Sequence, residues 1–129
     1  DGWRERLGRT TLPVIGPAEA GRNLARIAAA HDLTLFAYYA LDDAGHRRDH
    51  AMAVAALERL DAFLAGTLEA LPADTLLVVA SDHGNVEDIR TGHTLNPALF
   101  LAVGPGAEGL AAEVRSLPDL APALLHRLT

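Results

Sequence analysis

The chain has 129 residues, half of them hydrophobic and 22% charged, a balance typical of one folded domain rather than a disordered chain. Its formal net charge is −6 without a basic stripe, and no apolar run approaches the ~20 residues of a membrane-spanning helix, so neither nucleic acid nor a membrane is an expected partner. The absence of cysteine excludes disulfides, thiolate metal sites and cysteine nucleophiles, and the default location is the cytoplasm.

The first half of the chain predicts two helices around one strand. Apolar residues recur at helical spacing over 17–31, and residues 33–41 form a continuous apolar run that predicts a buried strand. Asp42-Asp43-Ala44-Gly45 is predicted to break that strand. From about residue 46 to 71, leucines recur every three or four positions, which predicts a long helix that Pro72 ends.

The second half predicts a strand over 75–80, a polar loop over 81–96, a strand over 97–103 and a helix over 117–128. Alternating helices and apolar strands favour a single α/β domain, residues 1–129, with a mostly parallel sheet flanked by helices. A parallel crossover usually requires a dozen or more residues and a helix, and the loop leaves little room for one. Strand 97–103 is therefore predicted to run antiparallel to strand 75–80.

Acidic and histidine side chains follow both of the first two predicted strands. Asp42 and His46 form Asp-x-x-x-His after the first, and Asp82 and His83 directly follow the second. Ligands in open α/β sheets bind outside the carboxyl ends of strands. The antiparallel return of the chain keeps His93 at the same edge. Asp oxygen and His nitrogen suit zinc, manganese and similar ions, so these residues predict a divalent-metal site.

Several of these positions have simpler interpretations. Asp42 or Asp43 could cap the helix near His46. His46 and His50, four residues apart, could form a helical ligand pair instead. His31 and His126 are interpreted as surface residues.

The loop after the second strand also allows more than one interpretation. Ser81 could be a nucleophile, but its place at a strand end favours a hydrogen-bonding role. Asn85 and Glu87 could position substrate or metal ligands, or could simply make a turn.

The combination of motifs in this order resembles the metal-binding region of cofactor-independent phosphoglycerate mutases, members of the alkaline phosphatase superfamily. The resemblance covers roughly residues 33–125. The segments that carry it are Asp42-x-x-Gly45-His46, Ser81-Asp82-His83-Gly84-Asn85, Gly92-His93-Thr94, Asn96-Pro97 and Leu117-Pro118-Asp119-Leu120-Ala121-Pro122.

The resemblance implies the C-terminal portion of an alkaline phosphatase-like fold and a site for two divalent ions, manganese or zinc. Asp42, His46 and His93 would ligate one ion, and Asp82 and His83 the other. The weaker candidate substrate-binding residues are Asn85, Glu87 and Thr94.

The family places a further Asp ligand and a Ser or Thr nucleophile upstream of the matched region, so no catalytic nucleophile is expected in this chain. The chain begins without Met. It is expected to be the C-terminal part of a longer metalloenzyme domain, inactive by itself and completed by the upstream part of the same protein.

The function implied is metal-dependent phosphoryl transfer on a small phosphorylated substrate, of the phosphoglycerate mutase or phosphopentomutase type, or hydrolysis of a phosphate ester. The alternatives are a hydrolase of the phosphodiesterase or sulfatase type and a non-catalytic metal-binding or scaffold fragment. Asp-His-Gly-Asn together with Gly-His-Thr favours the mutase type.

Overall fold

The computed structural model describes residues 2–128, and the side chains of residues 4–128. The helices predicted near 17–31 and 117–128 are present. No described helix is long and apolar enough to cross a membrane. The elements in chain order are α1 (Gly2–Arg6), α2 (Pro17–Ala28), α3 (Ala40–Arg47), α4 (His50–Ala70), β1 (Leu77–Ala80), a 3₁₀ turn (Val86–Asp88), β2 (Phe100–Val103), α5 (Ala107–Glu113) and α6 (Leu117–Leu128).

Helices α2 and α4 pack closely through small residues. A Cβ atom built on Gly21 would collide with the Phe63 carbonyl oxygen, and one built on Gly66 would collide with that of Ala18. Ala25 of α2 and Thr67 of α4 are buried, and each is 1% exposed. Glycine is needed at positions 21 and 66 because each helix lies against the backbone of the other.

Residues 33–39 form no strand, so the strand predicted over 33–41 is wrong for this structure. Leu35 is 91% exposed, whereas Phe36 stacks on Phe63 of α4 with ring centroids 4.7 Å apart. Tyr38 donates its hydroxyl proton to the Ala56 carbonyl oxygen at 2.9 Å. A strand needs a neighbour to satisfy its backbone groups, and the described residues provide none for this segment.

The break predicted at 42–45 is wrong, because these residues lie inside α3. The long helix predicted over 46–71 is divided between the end of α3 and α4. Acidic residues lie in the first turn of α3 and basic ones in its last turn, as the helix dipole favours. The helix ends where Arg48 adopts a left-handed conformation, with φ of 54°. Asp49 then caps α4 by accepting the Met52 backbone N–H at 3.0 Å.

The two strands pair antiparallel, as predicted. Leu77 lies opposite Val103 and Ala80 lies opposite Phe100. The sheet formed by the described residues has these two strands alone, so it does not contain the parallel sheet that was predicted. Residues 81–99 form a loop that leaves β1 and returns to β2 at the same end, which brings both of its histidines beside α3.

Candidate metal centre

Four side chains from three segments meet around one carboxylate oxygen. Asp42 lies in the first turn of α3, and its Oδ1 lies 3.4 Å from Nε2 of His46, one turn later in the same helix. The same oxygen lies 3.3 Å from Nε2 of His93 and 3.8 Å from Nε2 of His83. The Asp-x-x-x-His spacing therefore works here as an i, i+4 pair on one face of a helix.

The donor atoms of Asp42, His46 and His93 have the spacing that a small divalent ion requires. The two imidazole Nε2 atoms are 3.2 Å apart, so the three sides of this triangle are nearly equal. Metal–ligand bonds of about 2.0–2.1 Å in tetrahedral geometry place neighbouring donors about 3.3 Å apart. One oxygen and two nitrogens also suit zinc or manganese, so the donor set fits such an ion.

A second group of donors shares two of those residues. The donor atoms of Asp42, His83 and His93 all lie within 4.8 Å of one another, and the His83 and His93 rings stack with centroids 3.8 Å apart. His83 Nδ1 lies 3.2 Å from the Gly84 carbonyl oxygen. When Nδ1 donates its proton there, Nε2 keeps a lone pair for a metal. The group with His46 is the tighter of the two.

Asp82 meets this cluster through His83. Its Oδ1 lies 3.6 Å from His83 Nε2, and its side chain is 76% exposed. The carboxylate is thus free to turn toward a ligand without breaking a buried contact.

Asn85 is the buried neighbour of Asp42. It is 7% exposed, and its Nδ2 donates to Asp42 Oδ1 at 2.9 Å. A Cβ atom built on Gly45 would collide with the Asn85 side chain, so the glycine in α3 is what admits this amide. The sequence identified Asn85 as a candidate but gave no indication of the contact with Asp42.

Glu87 and Thr94 are bonded to each other across the loop. The Glu87 carboxylate accepts the Thr94 hydroxyl proton, the Asn85 backbone N–H at 2.6 Å and the Asn96 Nδ2 proton at 3.1 Å. These bonds, led by that of Thr94, lower the pKa of Glu87 to about 2. The three candidate substrate-binding residues therefore form one hydrogen-bonded group beside the histidines.

The structure decides most of the alternative interpretations. The cap of α4 is Asp49, while Asp43 pairs with Arg47 at 2.9 Å, so neither Asp42 nor Asp43 caps that helix. His46 lies 3.4 Å from Asp42 and 3.2 Å from His93, whereas His50, which begins α4, makes no such contact with them among the described residues. Ser81 donates its hydroxyl proton to the His83 carbonyl oxygen at 2.6 Å, which is a hydrogen-bonding role.

Comparison with known proteins decides the family. A family model described as the Metalloenzyme superfamily matches residues 18–129, which include every residue of the donor cluster. The chain belongs to the Metalloenzyme superfamily. No solved structure matches this superfamily member.

Curated relatives are named 2,3-bisphosphoglycerate-independent phosphoglycerate mutase, in agreement with the resemblance of the motifs. The protein from Dinoroseobacter shibae is 38% identical, over 80% of this chain and 22% of its own length. That from Syntrophotalea carbinolica is 34% identical, over 85% of this chain and 23% of its own length. That from Halobacterium salinarum is 36% identical, over 75% of this chain and 21% of its own length. The chain thus spans about a fifth of the length of these relatives.

Proposed function

We propose that this chain forms part of a metal-dependent phosphoryl-transfer centre. In this proposal Asp42, His46 and His93 hold one divalent ion, manganese or zinc, and Asp82 and His83 contribute to a second. The observation that carries it is the near-equilateral triangle of donor atoms, with sides of 3.2–3.4 Å. Bound ions of this kind neutralise charge on a phosphoryl group and lower the pKa of an attacking oxygen.

The reaction proposed is phosphoryl transfer on a small phosphorylated substrate, of the phosphoglycerate mutase type. The names of the relatives support this type, and a phosphopentomutase-type transfer or hydrolysis of a phosphate ester would use the same cluster. The net charge of −6 would repel a phosphate, so a local cation is needed for substrate binding. The residues around Asp42 supply donors for such a cation.

The nucleophile is proposed to come from polypeptide upstream of this sequence. The resemblance places a Ser or Thr nucleophile upstream of the matched region, and the hydroxyls of Ser81 and Ser116, the two serines of the sequence, donate to the His83 carbonyl oxygen and to Asp119. Apolar residues of the 33–39 segment also face solvent, as a surface that packs against further polypeptide would. Leu35 is 91% exposed and Tyr39 is 73% exposed.

A metal titration on this chain tests the donor set. Calorimetry with Mn²⁺ should show that His93→Ala weakens affinity at least tenfold, because it removes one corner of the triangle. His126→Ala, which changes an exposed histidine of α6, is the matched control and should bind as the parent chain does. Equal affinities for the two variants, or no Mn²⁺ binding by the parent chain, would reject the site.

An activity assay on the protein with its upstream polypeptide tests the reaction. Interconversion of phosphoglycerates and hydrolysis of p-nitrophenyl phosphate should both depend on added Mn²⁺ or Zn²⁺ and fall in His93→Ala. Stoichiometric metal binding without turnover on either substrate would favour the non-catalytic scaffold instead.

A further inference from the structure

The segments that carry His83 and His93 are tied together beside the two rings. Thr94, which follows His93, donates its backbone N–H to the Gly84 carbonyl oxygen at 2.9 Å. Its hydroxyl donates to Glu87 Oε1, while Glu87 Oε2 accepts the Asn85 backbone N–H at 2.6 Å. Gly84 and Asn85 lie one and two positions after His83, and Thr94 lies one position after His93, so Glu87 connects the two segments.

The tie leaves no space for a side chain at position 84. A Cβ atom built on Gly84 would collide with Thr94 Oγ1 and Glu87 Oε1. The Glu87 carboxylate therefore packs directly against the backbone of Gly84, the residue that follows His83. Asn96 Nδ2 is a third donor to the same carboxylate, at 3.1 Å. Glu87 therefore accepts from the segment that follows His83 and from the segment that follows His93.

The same group continues to the carboxylate at the centre of the cluster. Glu87 holds the backbone N–H of Asn85, and the Asn85 side chain donates to Asp42 Oδ1 at 2.9 Å. A single carboxylate is therefore connected to the neighbours of His83 and His93 and, through one amide, to Asp42. Its acceptor oxygens are turned toward the protein.

We infer that Glu87 is a positioning residue rather than a substrate-binding one. It holds the His83 and His93 arms of the loop at the spacing in which they face Asp42. Its effect on metal binding rests on the proposed function, whereas its effect on the loop does not. Loss of such an outer hydrogen bond typically costs 10–100-fold in metal affinity.

The test compares graded variants in this chain. Glu87→Ala removes all three acceptor contacts, whereas Glu87→Gln keeps one carbonyl oxygen. Thr94→Val removes the hydroxyl that donates to Glu87 and accepts the Asn96 backbone N–H at 3.3 Å. Glu108→Ala and Thr11→Val are matched controls at exposed positions outside the loop. Three quantities are measured: Mn²⁺ affinity, the visible absorption of bound Co²⁺ as a signature of coordination geometry, and amide hydrogen exchange at Asn85 and Thr94.

We expect Glu87→Ala to weaken Mn²⁺ binding 10–100-fold, to change the Co²⁺ spectrum and to speed exchange at Asn85. Glu87→Gln and Thr94→Val should give smaller losses, and the two controls none. If Glu87→Ala fails to fold, as shown by its circular dichroism, the two milder variants decide the matter.

Parent-like Mn²⁺ affinity and Co²⁺ spectrum in Glu87→Ala, or in both milder variants if it does not fold, would overturn the inference. So would equal losses in Glu87→Ala and Glu87→Gln without faster exchange, because that pattern indicates a ligand or a charge effect. If the parent chain binds no metal, the proposed function fails, while exchange at Asn85 and Thr94 still decides whether Glu87 ties the loop.

Discussion

The side-chain amide of Asn85 donates to Asp42 Oδ1 at 2.9 Å, across 43 positions of sequence. That oxygen is also the atom faced by Nε2 of His46, His83 and His93. The amide orients the carboxylate without bringing a positive charge. The bond also joins α3 to the loop after β1.

Replacing this amide should destabilise the chain. Asn85→Ala leaves a buried position without its donor and should lower the free energy of unfolding by about 1–3 kcal/mol. Asn85→Asp should lower it further at neutral pH, because it places a carboxylate against Asp42. Urea denaturation measures both. Asn23→Asp is the control, since it keeps the oxygen that accepts from Arg26 and should change stability by no more than about 0.5 kcal/mol.

The hydrogen bonds to Glu87 should make stability depend on acid pH. Thr94 is the main cause of the lowering of the Glu87 pKa from 4.5 to about 2. Since the folded-state pKa is the lower one, the stabilisation is complete above pH 4.5 and is lost as pH falls toward 2.

Unfolding curves of the parent chain and Glu87→Gln measure this contribution. The difference in free energy of unfolding should be constant above about pH 5 and should shrink between pH 4.5 and about 2. Glu108→Gln should follow the parent chain throughout. A difference that does not change with pH would mean that the Glu87 carboxylate is not held as described.

Replacement by alanine should have opposite effects at Gly66, in the contact between α2 and α4, and at Gly109, in α5. Gly66→Ala places a methyl group on the Ala18 backbone and should lower the free energy of unfolding by about 1–3 kcal/mol. Gly109→Ala, in α5, meets the Arg127 side chain at an ordinary 3.5 Å and should gain up to about 1 kcal/mol of helix propensity. Thermal unfolding of both variants checks the contrast, and equal shifts would contradict it.

The turn between α3 and α4 offers a stabilising substitution. Arg48 has a φ of 54°, a conformation that costs a residue with a side chain about 1–2 kcal/mol. Arg48→Gly should therefore raise the free energy of unfolding by about 0.5–1 kcal/mol, after the greater freedom of glycine in the unfolded chain is counted. Arg47→Gly, in the last turn of α3, should do the reverse. Urea denaturation at one pH compares the two.

Part of the fold could be predicted because local rules decide it. A parallel crossover usually contains a helix, and the polar loop between the strands leaves little room for one, so β2 was expected to return antiparallel to β1. Pro17 and the apolar period that follows likewise place α2. Residues 33–41 were predicted wrongly because their apolar run specifies burial but not the neighbour needed for a strand. The described residues contain no such neighbour, and Phe36 packs on α4 instead.

The convergence of Asp42, His83 and His93 was predicted from strand ends and loop length, although the strand expected before Asp42 does not form and Asp42 lies in α3 instead. The contacts behind them did not, because nothing in the spacing of Asn85 shows that Gly45 leaves room for its amide. Asp42-Asp43-Ala44-Gly45 was taken as a break since glycine and aspartate favour turns. In the structure the same acids lie in the first turn of α3, where the helix dipole stabilises them.

The two-stranded sheet has a consequence for how the chain behaves in solution. Among the described residues each strand has one neighbour and therefore one unpaired edge, and Leu101 and Val103 of β2 are 55% and 49% exposed. Apolar strands with unpaired edges are templates for association between molecules. The apparent molar mass from light scattering should therefore rise with protein concentration, and dilute samples should remain soluble longer than concentrated ones.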